Sequence, residues 1–423
     1  MTRRLAVLGF SLLALTGCPR PAGPPSAPST PSPRATPVPS PTPTPPPYVP
    51  LTRVDMGKIF NGMQYRVTLE TEFGTTATQE RNDPASYTAE LVFKVKVPKP
   101  HQDLEAISKL NSRLPEILPA LPALLETAKV SPVFEELYRL KTNELKLGID
   151  RLDRIPTRHN FYDCETLLEL QHPVTKRRAL FIQSEMDVDT DGSDVDRVPE
   201  IEGASSTFQP FTSYRWSKRT DKISPLIAFR EARIKELEAE LGANPTAVRR
   251  PQIEASIKAA KGEIGELNRF SFLIGHADPF IVLPGSMFGS SRSGPFAPAV
   301  GDYCVVIHDG TIYPAIVGDV GPRARMGEAS LRICKQILAK SHGAYRAVSD
   351  LKATYLVFPG TAEKPFAPPD LQKWVAKCAK LLEELGGHKG ELFAWEDITK
   401  PKAPEVTPAP ATPAPAPSAA TAP

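Results

Sequence analysis

The chain has 423 residues, with 51 basic and 48 acidic side chains, a formal net charge of +3 and 47 prolines. So balanced a charge excludes the bulk field of a nucleic-acid sleeve, and the many charges beyond the extreme N-terminus exclude a polytopic membrane protein. Fifteen of the prolines lie between Pro19 and Pro50 and eight in the last 23 residues, so the folded part is roughly residues 51–400, room for two domains or one elaborated one.

Thr2-Arg3-Arg4 and the apolar stretch Leu5–Ala14 have the form of a secretory signal, too short to span a bilayer. It runs into Leu15-Thr16-Gly17-Cys18, which resembles a bacterial lipobox, so residues 1–17 are expected to be a lipoprotein signal peptide and Cys18 the lipidated anchor of an exported, envelope-attached chain. Residues 18–50 are then a proline-rich linker, an extended polyproline spacer on the order of 100 Å long at ~3.1 Å per residue, and residues 401–423 a Pro/Ala-rich tail.

Between them, residues 51–155 are an N-terminal accessory region. Alternation in QYRVTLETEF and YTAELVFKVKV predicts a β-hairpin or small sheet over 58–97. Helical spacing over 101–152, punctuated by Pro115, Pro119, Pro122 and Pro132, predicts two or three short helices. From 156 onward FYDCETLLELQH and RRALFIQSEMDVD read as strands. Residues 225–268 read as an inserted antiparallel helical hairpin, with Ile234, Leu237 and Leu241 on one face and Ile253, Ile257, Ile264 and Leu267 on another. Short strands follow (FIVLP, YCVVIHDG, TIYPAIVGD), then a helix over 329–339, a strand over 353–358 and a helix over 370–385.

Apart from Cys18, the cysteines are Cys164, Cys304, Cys334 and Cys378, an even number that in an exported protein permits two disulfides. No C-x-x-C or paired histidine spacing occurs, so neither a metal nor another cofactor is expected.

Three constellations carry chemistry. The run from Asp187 to Asp196 holds Asp187, Asp189, Asp191, Asp194 and Asp196; an EF-hand loop counted from Asp187 would need a bidentate Glu where Val198 stands. The run is either an incomplete calcium loop, a solvated acidic turn, or a surface for a polycation, because amino sugars carry ammonium groups that pair with ionised Asp. Next, GASSTFQPFTSYRW offers hydroxyls and aromatic rings, which serve equally as sugar contacts or as core, Tyr214 and Trp216 being the rings expected to touch sugar in the first case. Last, Asp319 follows a buried strand and Glu328 opens the next element, with Gly318, Gly321 and Gly327 beside them. Two acids that close together can do the work of an inverting glycosidase, one donating a proton and one activating water across ~6.5–9.5 Å.

The D-x-D-x-D-G run, the F-I-V-L-P strand, and G-D-x-G-P followed by G-E-A-S resemble the chitosanases of glycoside hydrolase family 75, over roughly 161–224 and 270–338. The resemblance implies endo-hydrolysis of β-1,4-linked glucosamine polymers with inversion. It carries the catalytic pair onto Asp319 as base and Glu328 as acid. The spacer between these two is shorter than the family's, and the helical insertion interrupts the pattern. The GDxGP turn is also similar to that of double-psi β-barrels. The expected fold is therefore α+β, a small β-barrel within residues 156–400 carrying the helical insertion, preceded by a β-hairpin and helices. Polysaccharide is the expected partner and the membrane the attachment through Cys18, with no nucleic acid and a monomeric state. A non-catalytic envelope lipoprotein that binds polysaccharide such as peptidoglycan is the alternative, to be favoured if Glu328 lies against Arg323 or Arg325.

Overall fold

The computed structural model describes residues 54–55, 64–65, 69–200, 204–289, 294–343 and 346–400. Cys18 and both proline-rich ends lie outside them. Among the described residues no helix is long and apolar enough to cross a membrane.

In chain order the strands are β1 (Val54–Asp55), β2 (Gln64–Tyr65), β3 (Lys129–Val130), β4 (Cys164–Gln171), β5 (Arg178–Asp189) and β6 (Arg215–Ser217). After the helical insertion come β7 (Phe270–Phe272), β8 (Phe280–Pro284), β9 (Tyr303–His308), β10 (Thr311–Gly321), β11 (Glu328–Ser330), β12 (Val348–Val357) and β13 (Glu391–Leu392). The order β11-β8-β10-β9-β12-β5 closes on itself because β11 also pairs with β5. The fold is thus α+β around a closed six-stranded barrel. Its β8–β10 and β5–β11 neighbours are parallel and the rest antiparallel. Every residue of β8 is buried, which explains its uninterrupted apolar sequence: a strand covered on both faces has no polar side to show. The expected strand 353–358 appears as β12, which starts earlier, and the expected helix 329–339 as the shorter Leu331–Ile337.

The helix Leu371–Leu385 packs Trp374, Cys378, Leu381, Leu382 and Leu385 over β9 and β10. Its start is set by the Asp370 carboxylate, which accepts the Lys373 N–H at 3.0 Å, and its end by Gly386 at φ 120°. The inserted hairpin is Leu226–Gly242 and Arg249–Arg269. Its two ends are tied by the antiparallel β6–β7 ladder, with a small apolar cluster of Ile227, Leu267 and Phe272 at the base.

Before the barrel, helices Leu104–Leu110, Leu114–Ile117, Leu121–Glu126 and Pro132–Asp150 replace the two or three expected. Proline sits in the first turn of the last three, where its missing N–H costs nothing. Their buried residues Ile107, Leu121, Leu137 and Tyr138 belong to the same apolar core as the barrel's Leu167, Phe181 and Ile182. Within the described residues β1 pairs with β2, residues 58–63 and 66–68 of the expected hairpin lie outside them, and Tyr87–Val97 is no strand. β3 pairs with Leu168 and Glu169 of β4, and the segment after Tyr87 is fastened by side chains: Tyr162 donates to the Lys96 carbonyl at 2.9 Å and Thr166 to that of His101 at 2.6 Å.

All four cysteines in the described residues are buried free thiols, so the two permitted disulfides are not formed. Burial raises the pKa of all four thiols; that of Cys378, which donates to the Cys304 carbonyl at 3.3 Å, is pushed up to about 12.

Candidate active site

The barrel strands bring the acids together by register. Asp319 of β10 and Glu328 of β11 each stand opposite Val282 of β8, one on either side. Side chains in register share a face, and two inter-strand steps of ~4.8 Å set the backbones about 9–10 Å apart. A bulge between Val317 and Asp319 helps to aim the aspartate. The Glu328 side chain reaches over Val282: a Cβ on Gly321 would lie 3.3 Å from Glu328 Oε2. Glycine at 321 therefore leaves the glutamate its room. On the other edge of β11, Glu328 is opposite Asp187 and Ser330 opposite Asp189, so the acids of β5 continue the same row.

The two central acids have different surroundings. Asp319 Oδ1 accepts three hydrogen bonds, from the Ser213 N–H at 2.8 Å, the Ser213 hydroxyl at 2.5 Å and the Val320 N–H at 2.7 Å. Among the described residues no donor reaches its Oδ2. Burial raises its pKa, and the Ser213 and Val320 donors oppose that rise by favouring the ionised form. Glu328 receives no hydrogen bond from any described residue. Burial, then the charges of Asp187, Asp319 and Asp191, push its pKa to about 8, so at neutral pH it is largely protonated. Neither expected arginine neutralises it: Arg325 turns to Glu144 at 3.5 Å.

Asp189, only 5% exposed, is the most buried of the row. Its pKa is raised well above the usual range by burial and then by Glu328, Asp191 and Asp319, while its Oδ1 accepts the Asp191 N–H at 2.6 Å. Asp191 is lifted to about 6 by burial, against the Gln209 N–H bonded to its Oδ1 at 2.8 Å. The acidic run divides here. Gly192 turns at φ 92°, and beyond it Asp194 is clamped by Arg197, whose Nε lies 2.7 Å from Asp194 Oδ2 and whose two Nη atoms reach Asp278 at 2.8 and 2.7 Å. Asp196 accepts the Arg219 N–H at 2.7 Å. Two of the five carboxylates are thus spent on folding the loop.

At the other end of the row, His159, Glu185 and Asp187 lie close enough for their ligand atoms to share a cation. That cation is already supplied by Arg346, which pairs with Asp187, approaches Glu185 at 3.6 Å and donates to Asn160 Oδ1 at 2.8 Å. Burial raises Glu185 to about 9 and lowers His159, so the His159–Glu185 contact holds a proton rather than two charges.

Tyr214 and Trp216 are 8% and 5% exposed and belong to the core. Tyr214 stacks on Phe366 with centroids 4.3 Å apart and donates to the Ala367 carbonyl at 3.0 Å; Arg197 covers the Trp216 ring at 5.4 Å. The reason is strand alternation from Thr212 to Ser217: the even positions are buried and the odd ones exposed. The residue of this segment that reaches the acids is Ser213. Its signal was the alternation itself, which puts the serine on the face opposite the aromatics.

A cavity lined by Lys129, Glu169, Gln171, Met287 and Phe296 among others contains none of these acids. No curated protein matches the chain. Residues 186–391 match the family model described as fungal chitosanase of glycosyl hydrolase group 75, a stretch that begins inside β5 and contains Asp187, Asp189, Asp191, Asp319 and Glu328.

Proposed function

We propose that this protein is an endo-acting glycoside hydrolase that cleaves β-1,4-linked glucosamine polymers with inversion. The observation that carries the reading is the pairing, across Val282, of a protonated glutamate with an aspartate whose one oxygen is saturated by donors and whose other is open. Glu328 donates its proton to the leaving glycosidic oxygen. Asp319 Oδ2 accepts a proton from the water that attacks the anomeric carbon on the opposite face of the ring. The fixed Oδ1 bonds keep the aspartate oriented through the step. Asp191 and the part-exposed Asp187 supply carboxylates for substrate ammonium groups. In this reading the chain is an exported monomer tethered at Cys18, which the signal-like residues 2–18 support.

Incubation of residues 51–400 with chitosan is expected to release reducing ends with inverted configuration, visible as the α-anomer by NMR before mutarotation. Glu328→Gln and Asp319→Asn should each lower kcat by roughly 10²–10⁴-fold without unfolding. Full activity in both variants would remove the mechanism. No release from chitosan or peptidoglycan by the wild type would leave the alternative, a polysaccharide-binding lipoprotein.

A further inference from the structure

Helix Pro132–Asp150 lies outside the family match, yet it sends Lys141 into the barrel wall behind Glu328. Lys141 and Asp163 are both 0% exposed, with Nζ 2.6 Å from Oδ2, and Lys141 also donates to the Asn160 carbonyl at 2.7 Å. Burial lowers Lys141 and raises Asp163 to about 6, each opposed by its partner. A fully buried ion pair is weak as a stabiliser, since apolar residues of equal volume commonly serve as well. Its other contact is the informative one: Asp163 Oδ2 accepts the N–H of Met326 at 3.1 Å. Met326 is itself 3% exposed, so its N–H has no water to turn to and depends on that acceptor. Next in the chain, Gly327 sits at φ 83° so close to the Glu185 carbonyl that a Cβ would lie 2.2 Å from it, and its own carbonyl accepts the Asp187 N–H at 2.8 Å. Glu328 follows directly. The same helix also holds Arg325 through Glu144.

We propose that Lys141 and Asp163 are positioning residues for Glu328: the lysine keeps the Asp163 carboxylate in place, and the carboxylate fixes the Met326 N–H so that the turn at Gly327 delivers the glutamate over Val282. The role of Glu328 as acid rests on the function proposed above, whereas its positioning is measurable without substrate.

The test compares two charge-free double variants. Lys141→Met/Asp163→Asn keeps an acceptor for Met326, and Lys141→Met/Asp163→Val removes it. The Asn form is expected to keep kcat within about threefold of wild type. The Val form is expected to lose kcat by about 10- to 100-fold, the loss that a misplacement of about 1 Å produces, with KM changed less than kcat. The Glu328 carboxyl resonance in ¹³C-glutamate-labelled protein, assigned by its disappearance in Glu328→Gln, should titrate at lower pH in the Val form as the side chain relaxes toward water. A Val form with wild-type kcat and an unshifted Glu328 titration, or a folded Asn form as impaired as the Val form, would overturn the proposal. Should the Val form not fold, the Asn form decides: wild-type kcat and Glu328 titration support the role of the acceptor, and their loss in a folded protein overturns it. If wild type proves inactive on glucosamine polymers, the reaction fails but the NMR comparison still reads the positioning.

Discussion

Glu328 and Asp319 illustrate how neighbouring carboxyls acquire different tasks. Glu328 has burial and three acids against its ionisation, and Asp319 has three donors in favour of its own. In the proposed mechanism the active form is Glu328-H with ionised Asp319, so kcat should fall as pH rises through about 8, where Glu328 loses its proton, and should fall on the acid side as Asp319 gains one. Ser213→Ala removes one of the three bonds to Asp319 and raises its pKa, so the acid limb should move to higher pH while the alkaline limb stays. A pH–rate profile of both proteins checks this, and an unmoved acid limb would separate Ser213 from the base. The same shift has a stability consequence. Glu328 binds its proton more tightly folded than unfolded, so its contribution is fully present below the ordinary glutamate pKa and is lost as pH rises through about 8. Glu328→Gln should therefore melt at or near the wild-type temperature at pH 4.5 and several degrees higher than wild type at pH 8.5, by calorimetry, while inactive.

At the level of elements, the insertion Leu226–Gly242/Arg249–Arg269 leaves and re-enters the barrel through the two paired strands β6 and β7. Most of its surface is charged, and its contact with β7 is the small cluster of Ile227, Leu267 and Phe272. Replacing residues 219–268 by a short turn between the two strands should leave the far-ultraviolet spectrum less helical, lower Tm by only a few degrees and preserve cleavage of short glucosamine oligomers. Loss of cooperative unfolding would show instead that the hairpin is integral to the barrel. The hairpin was legible from sequence because 3.6-residue periodicity depends on neighbours in the chain. The failure at Tyr87–Val97 has the complementary cause: alternation specifies a strand's faces but not a partner, and the segment pairs with no strand among the described residues.

Across the whole molecule, the region before residue 156 and the barrel share one apolar core. Tyr138 donates to the Cys164 carbonyl at 2.6 Å from inside it, and Lys141 reaches Asp163. A chain beginning at residue 156 would expose Leu168 and Phe181, which share a face with Thr166 and Gln183, the residues bonded to the His101 and Ile107 carbonyls, and leave Asp163 buried without its cation, an omission that costs roughly 3–5 kcal/mol by itself. Residues 156–400 expressed alone should therefore be aggregated or lack a cooperative melt, whereas 51–400 should show one. A cooperatively folded 156–400 would make the earlier region a true accessory.

What the sequence determined by itself was chemical inventory and local geometry: the acid-rich strand end at Asp187–Asp191, the Asp319 and Glu328 pair among glycines, the helices bounded by Pro115, Pro122 and Pro132, and the class of fold. What only the tertiary structure decided was which of those groups meet. Barrel closure through β5–β11 joins Asp187 to Glu328 across 141 positions of chain, and register places Val282 between the two acids. It turned Tyr214 and Trp216 inward and Ser213 outward, kept the cysteines apart as thiols, and set Lys141 behind the turn that carries Glu328. The physical reason is that hydrophobic periodicity encodes which face of an element is buried, whereas strand pairing, desolvation and the pKa values they produce depend on residues distant in sequence.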